Sequence, residues 1–333
     1  MKEVAEAAGV HFSTVSRVLN PATRERVSPE LVSRVLAAAD QLGYRANTLA
    51  SSLRTRRSRV VGVLVPDIAS LLFPPILEGI EETLLAKGYM TIVGNTANDP
   101  ERHRLVLAGM MERQVDGLIL ATATLREPAL ENGIDKPLVL INRTDQTGRA
   151  PAVIPDEIRG IGLAVEHVAQ LGHKRIGHIA GPQWLSTGAM RLRGFREALA
   201  KMGLEDDPDR IVIAETFSRE AGRKACHALM EHAAGLTALV AANDLLALGC
   251  YDALAERGLT CPGDVSVTGY NDAPFVDMVM PPLTTVRLKQ REMGIEAARL
   301  LLARLQDESL APVDVLLPPQ LIARKSTASP GSE

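Results

Sequence analysis

Arg17 is the best-equipped side chain near the amino terminus, because its guanidinium offers paired donors that match O6 and N7 of guanine. It stands in the run Phe12-Ser13-Thr14-Val15-Ser16-Arg17-Val18-Leu19, where helical spacing sets Phe12, Ser13, Ser16 and Arg17 apart from Val15, Val18 and Leu19. Upstream, Val4, Ala7 and Ala8 repeat at the same spacing before Gly9. Two short amphipathic helices around a glycine break suit a helix-turn-helix, with a second helix of the right size and chemistry for a major groove.

The neighbouring elements must hold that helix in place. Pro21 to Val27 is rich in arginine and polar residues and reads as a loop. Ser28-Pro29-Glu30 is a helix start, with proline at the first position and an acid beside it. Leu31, Val35, Leu36, Ala39 and Leu42 then form an apolar stripe that ends at Gly43, a scaffold that closes the head. Asn47 caps a stretch that runs to Leu53 and Arg54, before the charged run Arg54–Arg59. A helix of about eight residues is marginal in water, because nucleation is costly and few bonds repay it. Such a segment stays unfolded until something buries Leu49 and Leu53, so it is a candidate switch.

Charge is unevenly placed. Residues 1–59 hold ten basic against five acidic side chains, a net of +5; the chain totals −3, so residues 60–333 carry −8. A basic head on an acidic body fits a phosphate-binding module joined to a solubilising one. Cys226, Cys250 and Cys261 are odd in number and lack CxxC spacing, which points to buried free thiols in a reducing cytosol. No apolar run is long enough for a membrane span and the first residues lack a signal-peptide layout, so the expected location is cytoplasmic.

From Val60 the pattern becomes strand-helix alternation. Val60–Val65, Met90–Val93, Leu118–Leu120, Leu138–Ile141, Arg175–Ile179, Ile211–Ile213, Ala238–Ala241 and Val265–Val267 read as buried parallel strands. Helices are expected around 74–87, 101–114, 126–133, 158–171, 187–202, 219–233, 244–257 and 288–306. So many units in some 270 residues imply two open α/β lobes with a cleft between them. Other signals fall away. Gly160-Ile161-Gly162 lacks the third glycine of a dinucleotide fingerprint, since Val165 stands in its place. His173, His178 and the Cys226-His227/His232 group lack metal-ligand spacing. No nucleophile–base pair, phosphate loop or cofactor motif is present, so the chain is not expected to be an enzyme and no cofactor is expected. An exported solute-binding protein is the other rival, disfavoured by the DNA-binding head.

Taken together, these residues resemble the lactose-repressor/galactose-repressor (LacI/GalR) family of bacterial transcriptional regulators. The carriers are Val4-Ala5…Ala8-Gly9-Val10, Thr14–Asn20, Gly43-Tyr44, Ala50…Ser52-Leu53, Val115-Asp116-Gly117, Leu171-Gly172-His173…Ile176-Gly177, Ala242-Asn243-Asp244, Gly269-Tyr270-Asn271-Asp272 and Pro282–Val286. Each is weak alone, but the ordered set is specific and spans the chain. The resemblance implies an all-α helix-turn-helix head with a hinge helix, then an α/β periplasmic-binding-protein-like core of two parallel-sheet lobes. The implied division is a head over 1–45, a hinge and linker over 46–59, a first lobe over 60–157 plus 288–316, and a second lobe over 158–287 plus 317–328. It further implies a homodimer on palindromic operator DNA, answering to a small-molecule effector.

By position within the family pattern, Phe12, Ser13 and Arg17 correspond to base-reading residues, and Thr14 and Ser16 to phosphate-side hydroxyls. Asn47, Ala50 and Leu53 belong to the hinge, with Leu53 the leucine wedged into the minor groove. The family's effector positions correspond to Leu72, Phe73, Asn142, Arg191, Phe217, Asn243 and Asn271, with Trp184 close by. Asn142 and Asn271 stand where sugar-binding relatives often carry acids; with Arg191 kept, a sugar acid is the expected ligand in place of a neutral sugar. The family usually begins a few residues earlier with a capping threonine, so either the sequence as given starts late or its first helix lacks a cap. It also commonly has serine where His11 stands, which puts the cap of the second helix in doubt.

Overall fold

A computed structural model describes residues 1–19, 21–44, 57–126, 133–145 and 147–331. The expected hinge helix with Asn47, Ala50 and Leu53, and most of the helix expected over 126–133, lie outside the described residues. Contacts divide the chain into two units, Met1–Ser58 and Arg59–Glu333.

The first unit contains α1 (Lys2–Ala8), α2 (Phe12–Leu19), α3 (Pro21–Arg24) and α4 (Pro29–Gln41). Val4, Ala5, Ala8, Val15, Val18, Val35, Ala38 and Ala39 bury their side chains against one another. These are small and β-branched residues, so three short helices can approach closely around a core of modest volume. Gly9 makes the break between α1 and α2. It sits at φ 59°, and the amides of Gly9 and Val10 bond back to the carbonyls of Glu6 and Ala5. That left-handed C-cap favours glycine. The expected loop after Pro21 is instead the one-turn helix α3, since proline presets a helical first residue.

The second unit is built on two parallel sheets. The first has six strands in the order β11-β5-β4-β3-β1-β2, comprising β1 (Val60–Val65), β2 (Met90–Asn95), β3 (Gly117–Leu120), β4 (Leu138–Ile141), β5 (Ala152–Pro155) and β11 (Val315–Leu317). Helices α5 (Phe73–Leu85) and α11 (Gln290–Gln306) share a core with one face of it, and α6 (Pro100–Glu112) with the other. α5 and α11 cross backbone to backbone. A side chain on Gly79 would strike the carbonyl of Arg291, and one on Gly294 the carbonyl of Ile76.

The second sheet has the order β7-β6-β8-β9, from β6 (Ile176–Ala180), β7 (Ile211–Ile213), β8 (Ala238–Ala241) and β9 (Ser266–Thr268). It lies between α7 (Glu157–Gln170) with α8 (Ser186–Lys201) on one face and α9 (Arg219–His232) with α10 (Asp244–Glu256) on the other. A short antiparallel pair, β10 (Thr285–Arg287) with β12 (Gln320–Ile322), lies where the chain passes between the sheets. Strands alternating with helices through 60–268 give this parallel order, because each parallel pair needs a crossover connection.

Two strands differ from expectation. Met90–Val93 and Ile211–Ile213 form strands, but they are sheet edges and only partly buried, with Met90, Ile92, Val93 and Ile213 exposed. An apolar run alone does not separate an edge from a centre. Cys226 and Cys250 are buried free thiols, whereas Cys261 is half-buried and donates to the carbonyl of Ser326. His178 is fully buried, stacked on Phe195, with Nδ1 bonded to the carbonyl of Val240. Among the described residues no helix is long and apolar enough to cross a membrane, and no cluster of His, Cys, Asp or Glu could hold a metal ion.

Candidate functional sites: an exposed helix and an interlobe cavity

In the head, α2 buries Val15 and Val18 and presents Phe12 and Arg17 to solvent. Ser13, Thr14 and Ser16 are half-buried on the same helix. The Arg17 guanidinium has no acceptor among the described residues, so its paired donors remain available. The doubted cap exists in another form: His11 Nδ1 accepts the amide of Ser13 at 3.2 Å and pairs with Ser13 Oγ at 2.8 Å. An imidazole nitrogen thus does what a serine oxygen does elsewhere, and the Ser13 hydroxyl is tied to that turn. Met1 precedes α1 without a side-chain cap bond.

In the second unit, strand carboxyl ends from both sheets converge on one cavity of about 470 Å³. All eight side chains expected at an effector site line it: Leu72, Phe73, Asn142, Trp184, Arg191, Phe217, Asn243 and Asn271. Leu72 precedes and Phe73 begins α5, Asn142 directly follows β4, and Asn243 lies two residues beyond β8. Open α/β sheets place their crevices at such ends because the loops there leave the sheet in opposite directions.

The side chains differ in what they have free. Arg191 is 3% exposed and held on three sides. Nε donates to Glu157 Oε2 at 2.7 Å, Nη2 to Glu157 Oε1 at 2.8 Å, and Nη1 to the carbonyl of Ala242 at 2.7 Å. Its guanidinium also lies over the rings of Tyr270 and Phe217, at 4.0 and 5.7 Å. Burial opposes its charge, but the Glu157 carboxylate holds it protonated. Glu157 balances that charge, so Arg191 cannot be the reason for an anionic ligand. No motif pointed to this partner, which stands 34 residues earlier.

Asn243 is also committed. Its Oδ1 caps α10 by accepting the amide of Leu246 at 2.8 Å. Asp244 lines the cavity but is not free either, since it accepts from the amide of Ala273 and the hydroxyl of Thr285. Burial pushes its carboxyl up to about 7. Asp272 pairs with Arg287 and Arg324.

What remains unpartnered is oxygen. Asn142 Oδ1, Asn271 Oδ1 and Thr187 Oγ1 are buried in the cavity wall with no hydrogen-bond partner among the described residues. Each such group costs about 1–3 kcal/mol when left unmet. Asn142 sits at φ 63°, a left-handed conformation that asparagine tolerates better than most residues. Together with the half-exposed Trp184 and the buried Phe73, the wall offers acceptors for hydroxyls and flat faces for a sugar ring. Sequence reasoning missed Thr187 and Arg143. Arg143 follows Asn142 directly; it is 7% exposed, with one bond, from Nη1 to Asn98 Oδ1 at 3.2 Å.

Two family models match the chain: "Bacterial regulatory proteins, lacI family" over residues 1–47, and "Periplasmic binding protein-like domain" over 165–327. The HTH-type transcriptional repressor CytR of Escherichia coli is 33% identical over 98% of this chain and 96% of its own length. Among solved structures, the transcriptional regulator CelR in complex with cellobiose is 31% identical, with a TM-score of 0.76 over 98% of each chain. The Lac repressor dimer bound to operator and the anti-inducer ONPF is 28% identical, with a TM-score of 0.86 over 98% of each chain. These relatives are regulators of transcription, not enzymes. With a helical head around its own apolar core, a two-sheet core around a cavity and identity along nearly its whole length, the chain belongs to the lacI family of bacterial regulatory proteins.

Proposed function

We propose that this chain is a homodimeric, operator-binding repressor of carbohydrate or sugar-acid genes whose effector occupies the cavity between its sheets. The observation that carries the reading is the wall of that cavity, where three buried oxygens lack partners among the described residues, beside aromatic faces. A polyhydroxylated ligand supplies the missing donors, and the related CelR forms a complex with such a ligand, cellobiose. In the head, Phe12, Ser13 and Arg17 read bases while Thr14 and Ser16 contact phosphates. Two heads on a two-fold axis require a palindromic site.

Asn47, Ala50 and Leu53 complete the DNA contacts. Their segment folds when two copies meet over the minor groove, and Leu53 wedges a base step apart. Effector alters lobe closure, changes the spacing of the paired hinges and releases operator. The division into a head over 1–45, a hinge over 46–59 and two lobes that exchange chain near 157 and 288 is part of the same reading.

The test is fluorescence anisotropy with palindromic operators selected by the protein itself. Arg17→Ala is expected to cost about 1–3 kcal/mol at one base pair of each half-site and to relax preference there. An equal loss on every sequence removes Arg17 from base reading.

A further inference from the structure

Arg143 is the charge in the cavity wall that has no ion pair among the described residues. It is buried at the carboxyl end of β4, and its single bond goes to a neutral side-chain amide, Asn98 Oδ1. A guanidinium carries five N–H donors, so four are unmet by the protein among the described residues. The charge acting on it is that of Arg191, also positive, and burial together with that repulsion pulls its pKa down to about 10. It therefore stays protonated at neutral pH. No ion pair joins it to Asp67 or Glu215, the two exposed acids of the cavity, and Asp244 is held by Thr285 and Ala273. Glu157 serves Arg191. A cation held this deep with one neutral partner is unfavourable until an anion reaches it.

We propose that the effector is an anionic sugar derivative whose carboxylate docks on Arg143, while its hydroxyls meet Asn142, Asn271 and Thr187. This rests on the effector reading above and names its ligand class. A carboxylate is favoured over a phosphate because one unbalanced guanidinium matches one negative charge; a dianion leaves a buried charge unmet. A planar guanidinium also fits a carboxylate through two parallel bonds. Hydroxyls must supply the rest of the ligand, since the three orphaned wall atoms include two carbonyl acceptors that require donors. About 470 Å³ suits a molecule of sugar size.

The experiment is calorimetry of the full chain with gluconate, galactonate, glucuronate and galacturonate, beside glucose, galactose and glucose 6-phosphate. At least one acid is expected to bind with its neutral parent on the order of 100-fold weaker, the value of a charge-assisted bond pair. Arg143→Met is expected to remove that preference and Arg143→Lys to keep part of it. Without ligand, R143M is expected to be at least as stable as the parent, because an unbalanced buried charge has gone. A destabilised R143M shows that the protein already balances this charge and overturns the proposal. Failure of every acid to bind, equal binding of acid and neutral parent, or tighter binding of glucose 6-phosphate also overturns it. The two readings fail separately. A neutral sugar that binds and shifts operator affinity sinks the anionic ligand and leaves the effector site. Acids that bind through Arg143 without changing operator affinity sustain the ligand class and sink the effector role.

Discussion

Glu157→Gln tests the electrostatic core of the cavity wall. The Glu157 and Arg191 side chains are 1% and 3% exposed and joined by two bonds of 2.7 and 2.8 Å. Glutamine keeps the shape, removes the charge and sets an NH2 donor against a guanidinium donor. Breaking one side of a buried pair costs about 3–5 kcal/mol, mainly because the other charge is stranded. For a unit of this size each kcal/mol lowers Tm by about 2 °C, so the expected fall is about 6–10 °C. Arg191→Met strands Glu157 and is expected to cost a similar amount. The double variant E157Q/R191M strands neither, and should fall short of the sum by at least about 2 kcal/mol. Urea unfolding followed by circular dichroism measures all three. A single variant within about 0.5 kcal/mol of the parent, or a double variant equal to the sum, refutes the reasoning. The same result governs how effector defects at Arg191 are interpreted, since a lost response there reports on folding before it reports on ligand.

Other expectations follow from packing and burial. Gly294→Ala drives a methyl into the carbonyl of Ile76 and should cost about 1–3 kcal/mol or more, whereas Gly162→Ala, with Ala198 Cβ the nearest atom at 3.8 Å, should be neutral or stabilising by up to about 1 kcal/mol. Thermal unfolding of the two separates crowding from helix propensity, and equal effects contradict the close crossing of α5 and α11. Burial holds the His178 pKa down at about 4, below its unfolded value near 6.5. The unfolded chain then binds the extra proton first, so this residue leaves stability intact above about pH 6.5 and removes it as pH falls towards 4. NMR of the ring should show a neutral imidazole down to about pH 4; titration between 6 and 7 contradicts its burial.

The positions that the sequence made legible share a cause. Leu72, Asn142, Trp184, Phe217, Asn243 and Asn271 follow apolar strands, and parallel sheets gather strand carboxyl ends at one place. Their free atoms were not legible. That Arg191 spends its charge on Glu157 depends on a contact 34 residues apart that no spacing rule selects, whereas the Asn243 oxygen goes to Leu246 by the ordinary helix-cap spacing. Arg143, not Arg191, is therefore the cation of the cavity wall without an ion pair among the described residues, and nothing in the sequence distinguishes the two. Edge strands looked like central ones because Ile and Val fill both kinds. The cap at His11 stood in doubt on sequence grounds because a ring nitrogen is an uncommon acceptor at that position.

The central claim is that the cavity and the operator contacts are coupled. Operator affinity is to be measured with and without saturating sugar acid, and acid affinity with and without operator, at one salt concentration. Linkage requires the two ratios to be equal, and the account predicts a shared weakening of at least about fivefold. Ratios of one in both directions, with acid bound in the cavity, contradict it.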